Sequence, residues 1–200
     1  MRTIQRKKLF LLFGGVTAAI LIAAVISICV GKYPIALKEI GSLFRGDGTV
    51  SEMTRKVFFT LRLPRTVMAI LAGAGLGLSG SVYQLIFKNP LASPDIIGVA
   101  GGANLGAAIA IVLVSSSGVL PIAMGAFWGG FVAVLCVMLL TKISGHGSTA
   151  LYVLAGIVIN AVSKSFIMAL KFFADPDNEL AAMEYWEMGT FGNVTQSKVL

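Results

Sequence analysis

Long apolar runs, broken by short clusters of charge, proline or glycine, set the pattern of this chain. The first run covers about residues 9–30, behind the basic opening Arg2, Arg6, Lys7 and Lys8. Comparable runs cover about residues 63–87, 96–114, 122–140 and 150–173. Each is close to the roughly 20 residues that cross the hydrocarbon layer of a bilayer as a helix. Five membrane spans are therefore predicted. A cleavable signal peptide is the rival reading of the first run. It is too long for a signal core and no small-residue cleavage site follows, so a retained span is expected.

The interruptions carry their own signals. Residues 33–65 form a polar interval. Within it Pro34 stands at a helix-start position, followed by Leu37, Ile40, Leu43 and Phe44 at three- and four-residue spacing. That predicts a short amphipathic helix on the membrane surface, closed by the Gly46-Asp47-Gly48 turn. Pro90 and Pro94 break the pattern after the second span, and Asp175-Pro176 ends the fifth. An acidic helical stretch follows, whose Tyr185 and Trp186 suit a membrane interface.

Composition fixes the class. The 200 residues are 56% hydrophobic and 12% charged, with a mean hydropathy of +0.88. A soluble domain needs more charge to cover its surface. Between Thr66 and Leu170 the charged residues are Lys88, Asp95, Lys142 and Lys164. Cys29 and Cys136 lie inside apolar runs and read as small buried hydrophobes. The net charge of +7 does not point to nucleic acid, because the basic residues flank apolar spans.

With the basic N-terminus in the cytoplasm, alternation places Lys88, Lys142 and His146 inside and the acidic tail outside. The interval after the first span is then external. It holds Lys32, Lys38, Arg45, Arg55, Lys56, Arg62 and Arg65 against Glu39, Asp47 and Glu52. Docking of an acidic soluble partner accounts for that excess.

Four-residue glycine spacing recurs at Gly73 and Gly77, at Gly98, Gly102 and Gly106, and at Gly125 and Gly129. Small residues at this spacing let helix backbones approach closely in lipid, so a compact bundle is expected. The run from Gly75 to Gly80 matches G-x-G-x-x-G, but it lies in an apolar helix without the strand and turn a dinucleotide site needs. Asn193-Val194-Thr195 matches the glycosylation pattern by chance. There is no P-loop and no metal-spaced Cys/His set, and the one histidine, His146, sits in a loop. No catalytic residue, metal site or cofactor is expected on this chain.

Lys164 lies within the fifth span, about nine residues or 13 Å from its end. Intramembrane charges usually face a bundle interior or an aqueous cavity, which makes Lys164 a candidate pathway residue. A snorkelling lysine is the alternative. Asn160, one turn earlier, shares its face.

One further pattern is more specific. Leu61-Arg62-Leu63-Pro64-Arg65, then Gly73, Gly80 and Gln84, then residues 89–94 (Asn-Pro-Leu-Ala-Ser-Pro), then Gly98 and Gly101-Gly102-Ala103 occur in order. Leu154-Ala155-Gly156 and Tyr185-Trp186-Glu187-Met188-Gly189 follow. Together they resemble the signature of FecCD-type permeases, the membrane subunits of ABC importers for iron-siderophores, haem and cobalamin. The resemblance runs from about Arg62 onward.

It implies an all-α polytopic transmembrane bundle. The chain would supply about five spans of a ten-span subunit, as its N-terminal half. Such subunits pair as homo- or heterodimers on two cytoplasmic ATPase subunits, which bind ATP and Mg. An extracytoplasmic substrate-binding protein docks outside. The setting implied is the bacterial cytoplasmic (inner) membrane. Arg62 and Arg65 match external arginines that pair with acids of the binding protein, with Arg55 a looser match. Asn89, Leu91, Ser148 and Thr149 resemble two cytoplasmic constrictions, and the fifth span resembles the pathway-lining helix. Lys164 departs from the small or apolar residue expected there.

The resulting expectation is a permease, not an enzyme, moving an iron-siderophore-type chelate by alternating access. An ion-coupled secondary transporter is the alternative. It should show carboxylates deep in its spans, and none lies there.

Overall fold

The structure, a computed structural model, describes residues 2–46, 48, 50–90, 92–114, 118–145, 148–192 and 194, with side chains from Lys7 onward. Asp47, Leu91, His146 and Asn193 lie outside the described residues. Every regular element described is helical. The chain divides into two compact units, Met1–Ala72 with Phe191–Leu200, and Gly73–Thr190.

The first unit holds α1 (Arg2–Cys29), α2 (Leu37–Arg45), α3 (Glu52–Val57) and the start of α4 (Leu63–Phe87). The amphipathic helix forms as expected but begins at Leu37. Pro34 stays upstream, and Glu39 Oε2 accepts from the Ala36 N–H at 2.8 Å to cap the first turn. Gly46 closes the helix in the left-handed conformation, φ 74°.

The polar interval hides a second helix. Ser51 Oγ accepts the Thr54 N–H at 3.1 Å and starts α3, which continues through Phe58–Arg62 into α4. The Leu63 N–H reaches back five residues to Phe58 O, so this link is one wide π turn. It sits just before Pro64, whose ring would clash with the Thr60 carbonyl in a regular helix. The apolar helix thus runs from Glu52 to Phe87 rather than starting at Leu63.

Phe58, 1% exposed, anchors this unit with Ile35 and Thr54. Its ring meets Phe44 and Phe59 edge-on at 5.9 and 4.9 Å. Tyr33 Oη lies 2.9 Å from Thr54 Oγ1 and 3.5 Å from Ser51 Oγ. Hydrogen bonding from Ser51 and Thr54 holds the Tyr33 phenol below its usual range.

Arg62 closes α1. Its Nη1 donates to Val30 O at 2.6 Å and Ser27 O at 3.4 Å, and Nη2 to Tyr33 O at 3.5 Å. The last carbonyls of a helix lack intrahelical donors and carry partial negative charge, which a guanidinium fork satisfies. Gly31 leaves the space: a Cβ there would occupy the guanidinium's place.

In the second unit, α5 (Val99–Leu113) is central, with α6 (Val119–Ile143), α7 (Thr149–Phe173) and the short α8 (Ala181–Glu187) around it. Among the described residues four helices are long and apolar enough to cross a bilayer, the stretches Lys7–Cys29, Glu52–Phe87, Val119–Ile143 and Thr149–Phe173. The third predicted span is the exception. Its helix is 15 residues, or about 22 Å against a hydrocarbon layer of about 30 Å. Pro90 and Pro94 hold the preceding chain out of helix until Gly98, φ 88°.

What α5 lacks in length it has in burial, with Ala107 at 0% exposure. Its glycines set the helix spacing. A Cβ at Gly106 would overlap the Gly125 carbonyl oxygen, one at Gly129 the Gly102 carbonyl, and one at Gly156 the Ile96 carbonyl. Gly73 and Gly77 differ, since nothing lies within 4 Å of a Cβ at either. Below this contact Met183 and Trp186 of α8 pack on Ala108, Ile111 and Ile167. Trp186, suited by sequence to a membrane interface, is partly buried against this cluster.

Two outcomes follow. Gly106→Val, in the full-length protein, is expected to lower the thermal midpoint in detergent or to prevent membrane accumulation, while Gly14→Ala, which has open space around it, changes neither. Arg62→Met should cost about 1–3 kcal/mol through the orphaned carbonyls, read as a lower midpoint that Arg62→Lys restores only in part.

Candidate functional site

Helix α7 is apolar by composition, yet one stripe of it is polar. Asn160, Lys164, Met168 and Lys171 recur at three- and four-residue steps and line a hollow of about 560 Å³. Gly101 and Asn104 of α5 form the facing wall, Asp95 lies in the turn before α5, and Glu187 of α8 also lines it. The sequence-predicted pair Asn160 and Lys164 is therefore brought into one hollow.

Their roles in it differ. Asn160 Nδ2 donates to the Asp95 carbonyl at 2.8 Å, joining α7 to the start of α5. Gly101 packs so closely on Asn160 that a Cβ would overlap its amide oxygen. Asn160 is thus a structural link as well as a lining residue. Lys164 is exposed and makes no ion pair among the described residues.

At the far end Lys171 Nζ meets Glu184 Oε1 and Glu187 Oε2, each at 2.8 Å. This double bridge fastens the last turn of α7 to α8. Sequence reasoning missed Asn104, Asp95, Lys171 and the two glutamates. Lys171 lies seven residues after Lys164 on the same face, so helical periodicity could have found it. Asn104 had a signal too, as a polar residue in a helix of glycine, alanine and aliphatic residues.

Of the candidate gate residues, Ser148 and Thr149 start α7, and Asn89 follows the end of α4, whose Phe87 meets the first turn of α7. Tyr83 stacks on Phe87 at 6.0 Å, and Phe87 meets Tyr152 at 5.6 Å. The end of α4 and the first turn of α7 are held together by these rings. Asn89 follows in a tight turn, its N–H bonded to Gln84 O at 3.2 Å and its carbonyl to the Ala92 N–H at 3.1 Å. Ser148 caps α7 by accepting the Leu151 N–H at 3.3 Å, and Thr149 is the first helical residue.

The candidate docking arginines part company. Arg62 is engaged by the end of α1, as described. Arg65 Nε donates to Val194 O at 3.3 Å and its Nη2 to Gly192 O. Both guanidinium groups are turned to carbonyls of this chain. Arg55 is exposed, and with Glu52, Lys56 and Phe59 it lines a surface hollow of about 510 Å³. Lys32, Lys38 and Arg45 are exposed in the same unit.

Chemically, the α5–α7 hollow offers a polar, charged strip through an apolar bundle. Among the described residues no group of three or more His, Cys, Asp or Glu side chains stands together to hold a metal ion. The G-x-G-x-x-G run lies in the middle of α4.

Comparison with known proteins agrees with this architecture. The chain is 33% identical over 189 residues to the molybdate import system permease protein MolB of Haemophilus influenzae, covering 93% of this chain and 56% of that protein. It is 39% identical over 134 residues to a probable iron chelatin transport system permease protein of Helicobacter pylori, covering 67% of this chain and 39% of the relative. Among solved structures, an inward-facing conformation of a putative metal-chelate type ABC transporter matches with a TM-score of 0.75 at 28% identity, over 93% of this chain and 55% of that one. The chain thus spans about half the length of these proteins. The model of the FecCD transport family matches residues 19–200, and the chain belongs to that family as a multi-pass membrane protein.

Proposed function

We propose that the chain is the N-terminal half of a permease subunit of a binding-protein-dependent ABC importer, moving an iron-siderophore-type metal chelate. The observation that carries this reading is the polar stripe of α7, lining a hollow inside an otherwise apolar bundle of this family. Intramembrane polar groups are costly and are kept where a solute or ion must pass. The relatives named for molybdate and iron chelatin, and the metal-chelate transporter, support a metal-bearing cargo. None of them favours the ion-coupled alternative.

In this reading two permease subunits enclose the pathway, and two ATPase subunits in the cytoplasm supply the energy. The pathway follows the α5–α7 hollow from the Lys171 end toward the Asn89, Leu91, Ser148 and Thr149 segments, which close it on the cytoplasmic side. Backbone contacts at glycine would let α5, α6 and α7 shift as rigid rods between outward and inward states. The N-terminus lies in the cytoplasm, and the complex resides in the bacterial inner membrane.

The basic outer surface receives an acidic binding protein. Lys32, Lys38, Arg45, Arg55 and Lys56 are exposed and make no ion pair among the described residues, so they are free to steer an acidic partner. Arg62 and Arg65, matched to the family's docking positions, serve through the backbone they hold in place.

The reading is tested by uptake of radiolabelled ferric siderophore in cells with and without the full-length gene. Loss on deletion, restored by the gene and abolished by ATP depletion, is expected. Undiminished uptake of ferric siderophores, haem, cobalamin and molybdate in the deletion strain would overturn it. On the outer surface, Arg55→Glu with Lys56→Glu should weaken binding-protein affinity by about tenfold at low salt, with the gap closing as salt rises. Arg62→Glu should instead reduce the amount of folded permease.

A further inference from the structure

The charges of the α5–α7 hollow are unevenly matched. Lys171 is held by two carboxylates, Glu184 and Glu187. Asn160 is tied to the Asp95 backbone. Two charged side chains on the lining remain without an ion pair among the described residues, Lys164 on α7 and Asp95 before α5. Lys164 stands about 22 Å from the start of α7 and 13 Å from its end, deep within the apolar segment. An ammonium at that depth is retained against a strong solvation preference and calls for an anionic or polar partner. No carboxylate of the described chain stands within ion-pair distance. The hollow, at about 560 Å³, has room for part of a bulky solute.

We propose that Lys164 is the charge-selecting residue of the pathway, taking an anionic oxygen of the passing cargo. This rests on the importer reading above. The cargo class is then an anionic metal chelate, with catecholate or carboxylate oxygens, rather than a neutral trihydroxamate chelate. Asp95, on the same lining, has the opposite effect and repels that cargo near the N-terminus of α5. The two side chains therefore pull in opposite directions on one solute. A lysine that merely balanced Asp95 within the protein would behave differently, because losing either partner would then do the same harm. An oxyanion such as molybdate presents the same oxygen chemistry, and the experiment separates the two sources.

The test uses the full-length permease with its ATPase and binding protein in proteoliposomes. Initial uptake of a ferric tris-catecholate, a neutral ferric trihydroxamate and molybdate is compared for wild type and variants with the same binding protein. Any change in cargo ratio then belongs to the permease. Lys164→Met is expected to lower uptake of the anionic cargo by about tenfold, the scale of one charge-assisted hydrogen bond. Neutral-chelate uptake should change little. Lys164→Arg should keep the preference, and Asp95→Asn should strengthen it. A loss confined to molybdate would make the oxyanion the cargo, and would overturn the chelate assignment.

Unchanged ratios in Lys164→Met, or equal losses for every cargo with normal membrane levels, would overturn the inference and leave the importer reading standing. The same parallel loss in Asp95→Asn would assign the two residues to an internal balance and also overturn it. If Lys164→Met fails to reach the membrane, Lys164→Gln carries the same comparison. ATP-independent uptake of all three cargoes by the wild type would overturn the importer reading, and this inference with it. Absent uptake of all three would overturn the cargo class inferred here and leave the importer reading to the haem and cobalamin assays.

Discussion

Helices α5, α6 and α7 meet through backbone atoms, and the absence of side chains at Gly102, Gly106, Gly125, Gly129 and Gly156 makes that approach available. In lipid there is no hydrophobic drive to press apolar helices together, so dispersion between closely fitted surfaces has to hold them. The consequence is largest for α5. At 15 residues it is too short to span a bilayer alone, and its stability comes from being wrapped by its neighbours. Once α5 is fixed at the centre, α7 must cross its N-terminal turn at Gly156 and Asn160. That crossing is what turns the polar stripe of α7 toward Gly101 and Asn104 and creates the hollow.

The polar groups of the two units divide into those used for structure and those left over. Arg62 and Arg65 bind backbone carbonyls, Lys171 binds two glutamates, and Asn160 binds the Asp95 carbonyl. Each satisfies an acceptor that would be costly to strand near lipid. The side chains of Lys164, Asp95, Arg55 and Lys56 make no ion pair among the described residues. In the importer reading these are the groups that face a partner or a cargo. In that reading, side chains that hold the fold and side chains that meet other molecules are separated by their hydrogen bonding, not by their type.

Much of this was legible in the chain itself. The apolar runs located α6 and α7 to within three residues, because length and hydropathy decide a membrane helix. They marked only the apolar stretches of α1, which begins at Arg2, and of the helix that begins at Glu52. The stripe Asn160–Lys164 followed from helical periodicity. Three features were not legible. The helix Glu52–Val57 reads as polar, since Arg55 and Lys56 mask its pattern, and Pro64 looks like a start when the chain absorbs it with a π turn. Arg62 offers no local sign of its role, because its partners lie about 30 residues upstream. The four-residue glycine spacing of Gly73 and Gly77 is the same as that of Gly102 and Gly106, yet only the second pair meets a neighbour here. Spacing records the capacity for close approach, while the partner is a property of the tertiary structure.

In the importer reading, solute passes along the Asn160–Lys171 face of α7. The most direct test of that path is thiol labelling of single cysteines on that helix, in a full-length transporter otherwise freed of cysteine, Cys29 and Cys136 included. Lys164→Cys and Met168→Cys should react with a charged, membrane-impermeant thiol reagent, at rates that change between ATP-bound and nucleotide-free states. Val162→Cys and Phe166→Cys, which line the apolar groove on the other side of α7, should stay unreactive. Reaction at Val162 and Phe166 with protection at Lys164 and Met168 would place the aqueous path on the opposite face and contradict the account.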